Sequence, residues 1–318
     1  MQKSVIGYPR VGSKRELKFA LEKYFRGEIP IEELIKTSKE LRTYSWLVQK
    51  KAGIDFISSN DFSFYDNMLD TSFMLGVIPE RYKKLCLSKP DTYFAMARGY
   101  QSKNGDLTAL PMKKWFNTNY HYIVPEFDDK VEIRLDDSKI VEEYKEALSC
   151  GVQTKPVVIG PYTFLKLSRF SGKKQLVDFA KEISAAYRNL LKNVASLGAK
   201  WIQIDEPALV LDMTDEDKKL FKTMYNDVLE GKPIKILLQT YFGDVRDFFD
   251  ELVNFDFDGI GLDFVEGKET FELIKKHNVS KRKRTIRKKK FLKNHHSKWY
   301  SFLQMQVMQV SFNIYKRT

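Results

Sequence analysis

The chain has 318 residues, of which 43% are apolar and 23 are Phe. That is ample for the buried core of one large α/β domain or two ordinary ones. The formal charge of +12 would point to an anionic partner, but twelve of the 54 Lys and Arg, and none of the 42 Asp and Glu, fall in residues 281–318. Residues 1–280 are therefore formally neutral. Cys86 and Cys150 stand too far apart for a zinc knuckle or a disulfide framework. No stretch approaches the ~18 apolar residues of a membrane span, and "MQKSVIGYPRVG" carries no signal-peptide run. A cytoplasmic protein without a membrane partner is expected.

Seven apolar runs predict buried strands: "SVIGYP" (4–9), "DFISSN" (55–60), "NYHYIVP" (119–125), "PVVIGP" (156–161), "KWIQIDEP" (200–207), "IKILLQTYF" (234–242) and "DGIGLDFV" (258–265). They are rich in Val, Ile and aromatics and end in Pro, Gly, Asn or Asp, as parallel strands covered on both faces do. Helical spacing predicts helices over 15–26, 31–51, 63–75, 138–149, 174–197, 214–229, 245–254 and 268–276. Asp61 and Ser63 are candidate caps of the third. Strand and helix in alternation predict an α/β fold with a parallel sheet. Polar residues clustered after strand ends favour a (β/α)8 TIM-type barrel. An open doubly wound sheet is the alternative, weakened because no Gly-x-Gly-x-x-Gly follows the first strand. The barrel is incomplete: residues 280–318 begin where an eighth strand is due, so that strand is replaced or missing, and a marginally stable domain is expected.

Three constellations bear on chemistry. In "GYPRVGSKRELKFALEKY", Lys14, Arg15 and Lys18 crowd the first turns of a helix, where free N–H groups favour an anion. The same spacing also fits a solvated face with Arg15–Glu16 or Lys18–Glu22 pairs. In "MKKWFNTNYHYIVPEF", aromatic rings alternate with Asn117, Asn119 and His121, which fits either a ring-stacking site or a buried strand. In "QIDEPALVLD", Asp205 and Glu206 end a strand, and at most one of two neighbours faces the barrel axis. A rim carboxylate there suits general-base or ligand-orienting work, or a salt bridge. Asn60, Asp61, Asp66 and Asp263 are expected near the same rim.

At these motifs, together with "AGIDFISSNDFSFYDNMLD", "VVIGPYTFLKLS", "LLQTYFGD" and "GIGLDFVEG", the chain resembles the amino-terminal half of cobalamin-independent methionine synthase. The resemblance covers residues 1–279. It implies two facing (β/α)8 barrels that transfer a methyl group from 5-methyltetrahydropteroyl-polyglutamate to homocysteine. The carboxy-terminal barrel of the family holds zinc and homocysteine and has no counterpart here. No cofactor is expected in this chain, and catalysis by it alone is not expected. Lys18 and Asn119 are implied as contacts of the folate or its glutamate tail, with Lys114 and Arg15 as further candidates. A separately encoded zinc barrel is an implied partner.

Residues 280–318 depart from that pattern. They lack Gly, Pro, Ala and acid and are rich in residues with AT-rich codons. A frameshift near codon 280 is the favoured origin, with a genuine basic tail as the rival. Two other functions remain open: a nucleic-acid binder acting through that tail, which the neutral remainder disfavours, and a non-catalytic scaffold for a zinc barrel.

Overall fold

Apolar runs bounded by turn residues lead to strands buried on both faces, and the computed structural model, which describes residues 2–102 and 105–277, places them in one parallel sheet. Its strands are β1 (Ile57–Ser59), β2 (Thr154–Ile159), β3 (Trp201–Asp205), β4 (Lys235–Gln239) and β5 (Gly259–Gly261). They lie side by side in chain order, each parallel to the next. The first predicted strand makes a single parallel bridge, Ser4 to Phe56, beyond β1. Sheet order therefore follows chain order from Ser4 to β5, the winding of a barrel. Among the described residues the sheet is not closed.

The helices cover the sheet as their apolar faces require. Leu176–Ser196 buries Phe179, Ile183, Tyr187, Leu190, Leu191 and Val194, which recur at helical spacing. A capping box between Gln175 and Asp178 starts it, and Thr214 with Asp217 starts Asp215–Leu229 in the same way. Ile31–Lys51 and Ser138–Ser149 have the predicted bounds.

Several expectations are corrected. Residues 119–125 are not a sheet strand: His121–Ile123 pairs antiparallel with Met112–Lys114, and β1 pairs directly with β2. The reason lies in two competing acceptors. The Ile123 N–H goes to Asp66 Oδ2 at 3.0 Å and the Val124 N–H to Pro111 O at 2.9 Å. The third helix is shorter, Asn67–Met74, and is capped by Asp66 rather than Asp61 or Ser63. Asp66 Oδ1 accepts from the Met68 and Leu69 N–H groups at 2.8 and 2.9 Å. Residues 245–254 hold only the helix Phe249–Leu252. Lys89–Arg98 and Pro161–Lys166 are helices that periodicity does not reveal. The proposals for residues 280–318, including strand replacement and nucleic-acid binding, lie outside the described residues. Among the described residues no helix is long and apolar enough to cross a membrane.

Candidate ligand site at the strand ends

Side chains on a strand alternate between faces, and β3 shows what that does. Ile202 and Ile204 face the helices and are fully buried, while Gln203 and Asp205 point to the sheet interior. Gln203 Nε2 donates to Asp205 Oδ1 at 2.7 Å and to Ile6 O at 3.2 Å. Lys155, two residues before the β2 partner of Gln203 and on the same face, donates to Gln203 Oε1 and to Val5 O. These two buried side chains hold the carbonyls of Val5 and Ile6. The first strand is thus attached through side chains rather than a continuous backbone ladder. Asp61, just past β1, accepts from the Tyr8 N–H at 2.8 Å and the Ser58 hydroxyl at 2.6 Å, fixing the loop that follows.

Above this layer opens a cavity of about 780 Å³, lined by residues from the ends of β1, β2 and β3, the hairpin and the long helices. Asp205 and Tyr241 stand on its wall, with the Tyr241 hydroxyl donating to Asp205 Oδ2 at 3.2 Å. A second polar group surrounds Lys139. Its ammonium donates to Asn60 Oδ1 and Phe62 O at 2.8 and 2.7 Å and lies 3.0 Å from Glu143. Burial works to lower the Lys139 pKa, but Glu143 and Asp70 outweigh it and hold the lysine above its ordinary value. Burial raises Glu143 against Lys139 and Arg42.

Backbone strain gathers at the same rim. Asn60, Phe116 and Phe242 have φ of 60°, 52° and 74°, in the left-handed region that non-glycine residues rarely adopt. Each is held there. The Asn60 N–H bonds Glu143, the Phe242 N–H bonds Asp263, and the Phe116 and Phe242 rings lie 5.4 Å apart. Non-glycine strain of this kind clusters at functional sites.

Asp205 and Glu206 part company as neighbours on a strand must. Glu206 is fully buried on the other side of β3 and does not line the cavity. It accepts from the Tyr162 and Thr163 N–H groups at 3.0 and 2.7 Å and from the Tyr225 hydroxyl at 2.6 Å. It anchors the start of Pro161–Lys166. Asp263 is likewise structural: its carboxylate accepts from the Phe242, Val265 and Glu266 N–H groups.

The other predicted site residues lie elsewhere on the surface. Lys18 is exposed on Glu16–Phe25 and pairs with Glu22 at 3.8 Å, one of the two pairings the spacing allowed. Arg15 is exposed at the N-terminal end of that helix with φ 62°. Lys114 is exposed on the hairpin strand and Asn119 in its turn. None of these four lines the cavity. Lys155, Gln203, Lys139, Glu143 and Tyr241 were not singled out from the sequence. A lysine inside the apolar run "TKPVVI" was the one available signal. Among the described residues no group of three or more His, Cys, Asp and Glu is arranged to hold a metal ion.

Burial pushes the carboxyls of Asp66, Asp205 and Glu206 up to about 7 and the Lys155 ammonium down to about 8. The folded acids therefore keep protons that unfolded ones release near their ordinary values of 3.8 and 4.5, and stability falls as pH rises toward 7. Folded Lys155 releases its proton above about 8 and unfolded lysine only near 10.5, so stability recovers from 8 toward 10. The slope is about 1.4 kcal/mol per pH unit for each such group. Urea midpoints measured from pH 5 to 10 are expected to pass through a minimum near pH 7–8. A maximum there would contradict these assignments.

A parallel α/β sheet wound in chain order, with a polar, aromatic-walled cavity at the carboxyl ends of its strands, defines a barrel-type domain of the kind that carries small-molecule sites. The comparison with known proteins is specific. The profile described as "Cobalamin-independent synthase, N-terminal domain" matches residues 2–287, and the chain belongs to that family. It is 51% identical over 309 residues to a 5-methyltetrahydropteroyltriglutamate–homocysteine methyltransferase of Lactococcus lactis subsp. cremoris (strain MG1363), covering 96% of this chain and 41% of that protein. A protein of the same name from Streptococcus thermophilus is 53% identical over 276 residues, covering 86% of this chain and 37% of that protein. The chain thus spans about 40% of the length of the curated relatives it matches. Two solved structures share the fold. One is a putative vitamin-B12 independent methionine synthase from Listeria monocytogenes, with a TM-score of 0.54 and 16% identity, covering 82% of this chain and 71% of that one. The other is a B12-independent methionine synthase from Shewanella sp. W3-18-1 in complex with selenomethionine, with a TM-score of 0.56 and 18% identity, covering 78% and 70%.

Proposed function

We propose that this chain is the folate-binding half of a two-barrel methyltransferase that moves a methyl group from 5-methyltetrahydropteroyl-polyglutamate to homocysteine. The observation that carries this is identity above 50% to named methyltransferases, confined to about two-fifths of their length. Lys18, Asn119, Lys114 and Arg15 are the proposed contacts of the folate and its glutamate tail. All four are exposed, and Lys18 is held only by a surface ion pair to Glu22, an interaction that a carboxylate ligand displaces at little cost. A glutamate tail is a row of carboxylates, and the start of Glu16–Phe25 adds the positive end of its helix dipole to the nearby cations.

The zinc that the family uses belongs, in this reading, to a carboxy-terminal barrel that is the proposed partner, acting in the cytoplasm. When bound there, zinc lowers the pKa of the homocysteine thiol near neutrality. This chain's own residues bind and orient the methyl donor. Titration with methyltetrahydrofolate triglutamate tests the reading: the Lys18→Ala variant is expected to bind about tenfold more weakly, and equal affinity for the two proteins would reject Lys18 as a contact.

A further inference from the structure

Lys114 and Asn119 sit on one hairpin, Lys114 on its first strand and Asn119 in its turn. The hairpin is braced from within. The Trp115 N–H donates to Tyr120 O at 2.8 Å, the Thr118 hydroxyl to Trp115 O at 2.6 Å, and the Tyr120 N–H to the Thr118 hydroxyl at 3.1 Å. A unit braced in this way moves as one piece. Where its base and tip are fastened therefore decides where both side chains stand.

The base is fastened by Asp66. Ile123 is fully buried, and its N–H donates to Asp66 Oδ2 at 3.0 Å. Oδ1 of the same carboxylate takes the Met68 and Leu69 N–H groups at 2.8 and 2.9 Å. One side chain thus joins the hairpin to the helix Asn67–Met74 that follows β1. The tip is fastened by Phe242, whose ring lies 5.4 Å from that of Phe116. Phe242 is itself held at φ 74° by its N–H bond to Asp263 Oδ2 at 2.8 Å. Between the two, the Tyr122 hydroxyl donates to Leu167 O at 3.1 Å.

The helix alone does not require an acid at position 66, because asparagine caps a helix about as well as aspartate. An asparagine whose carbonyl caps the helix turns its NH₂ toward the Ile123 N–H, so that two donors face each other. A second acceptor oxygen is needed for the hairpin. We infer that Asp66 is a positioning residue for the methyl donor: its Oδ2 fixes the base of the hairpin that carries Lys114 and Asn119, and Phe242 fixes the tip. The consequence for binding rests on the folate reading, whereas the fastening does not.

Residue-resolved amide exchange in the ligand-free chain at pH 8 tests the fastening. That pH lies above the value of about 7 to which burial raises Asp66, so the carboxylate is ionised. In Asp66→Asn the Ile123 amide is expected to exchange about tenfold faster, while the Met68 and Leu69 amides keep their protection. A role confined to capping predicts the opposite, with Met68 and Leu69 the sensitive amides. Titration with methyltetrahydrofolate triglutamate tests the consequence. Asp66→Asn is expected to bind about tenfold more weakly, with a melting temperature within about 3 °C of the unsubstituted chain. Phe242→Gly accepts the positive φ and removes the ring, and it is expected to weaken binding likewise. Phe242→Tyr keeps the ring and is expected to bind as the unsubstituted chain does. These two variants carry the reading if Asp66→Asn does not fold. Unchanged exchange at Ile123 in Asp66→Asn, or unchanged triglutamate affinity in the folded variants, would overturn the assignment. Absence of binding by the unsubstituted chain would instead reject the folate reading, and exchange at Ile123 would still decide the fastening.

Discussion

Replacing Glu206 with Ala is expected to destabilise the domain by about 3–5 kcal/mol, at the upper end of single-substitution effects. The reason is local and threefold. The substitution leaves the Tyr162 and Thr163 N–H groups and the Tyr225 hydroxyl without their acceptor. Each orphaned buried donor costs about 1–3 kcal/mol, and the three losses are not fully additive because they share one carboxylate. The melting temperature should fall by on the order of 10 °C. Glu206→Gln keeps one carbonyl but turns an NH₂ toward an N–H, and should fall between. Gly160→Ala reaches the same end from the other side. A Cβ at Gly160 would lie 2.1 Å from Glu206 Cδ, so the carboxylate must leave its donors. A fall of less than about 3 °C in both Glu206→Ala and Gly160→Ala would show that this contact is not structural.

The second large effect is expected at Lys155→Met. Lys155 is 2% exposed, and its ammonium bonds Val5 O and Gln203 Oε1 while its charge opposes Asp205 and Asp61. Methionine keeps the length and removes the donor and the charge. Breaking a buried ion group by deleting one partner costs about 3–5 kcal/mol. The loss should be felt in the first strand, whose sheet pairing is the single Ser4–Phe56 bridge. Hydrogen exchange is therefore expected to show residues 4–9 losing protection selectively, with Ile202, Ile204 and their β3 neighbours retaining theirs. Uniform loss across the sheet would mean that Lys155 supports the core as a whole and not the first strand.

Much of this architecture was legible in the residues because burial writes itself into periodicity. Val157, Val158 and Ile159 in β2 and Leu237 and Leu238 in β4 are apolar on both faces, which marks covered parallel strands. The alternation rule separated Asp205 from Glu206 before any geometry was known. What stayed hidden depended on partners distant in sequence. Residues 119–125 have strand composition, but an acceptor 57 positions away, Asp66, takes the Ile123 N–H and turns the segment into a hairpin. Residues 4–9 have strand composition too, yet the carbonyls of Val5 and Ile6 go to Lys155 and Gln203, 150 and 197 positions on. The cavity was half visible. Its carboxylates at Asp61, Asp66 and Asp205 stood out at strand ends, while Lys139, Glu143 and Glu146 looked like the ordinary polar face of a helix. The Lys18–Glu22 spacing was read in two ways, and the exposed pair leaves the ligand role compatible with both.

Binding of methyltetrahydrofolate as a function of its glutamate chain length tests the central claim most directly. The chain is expected to bind the triglutamate at least tenfold more tightly than the monoglutamate, with an affinity that weakens as salt rises because exposed lysines and arginines meet carboxylates. Equal affinity for the two forms, or no saturable binding of either, would contradict the account of this chain as the folate-binding half of a two-barrel methyltransferase.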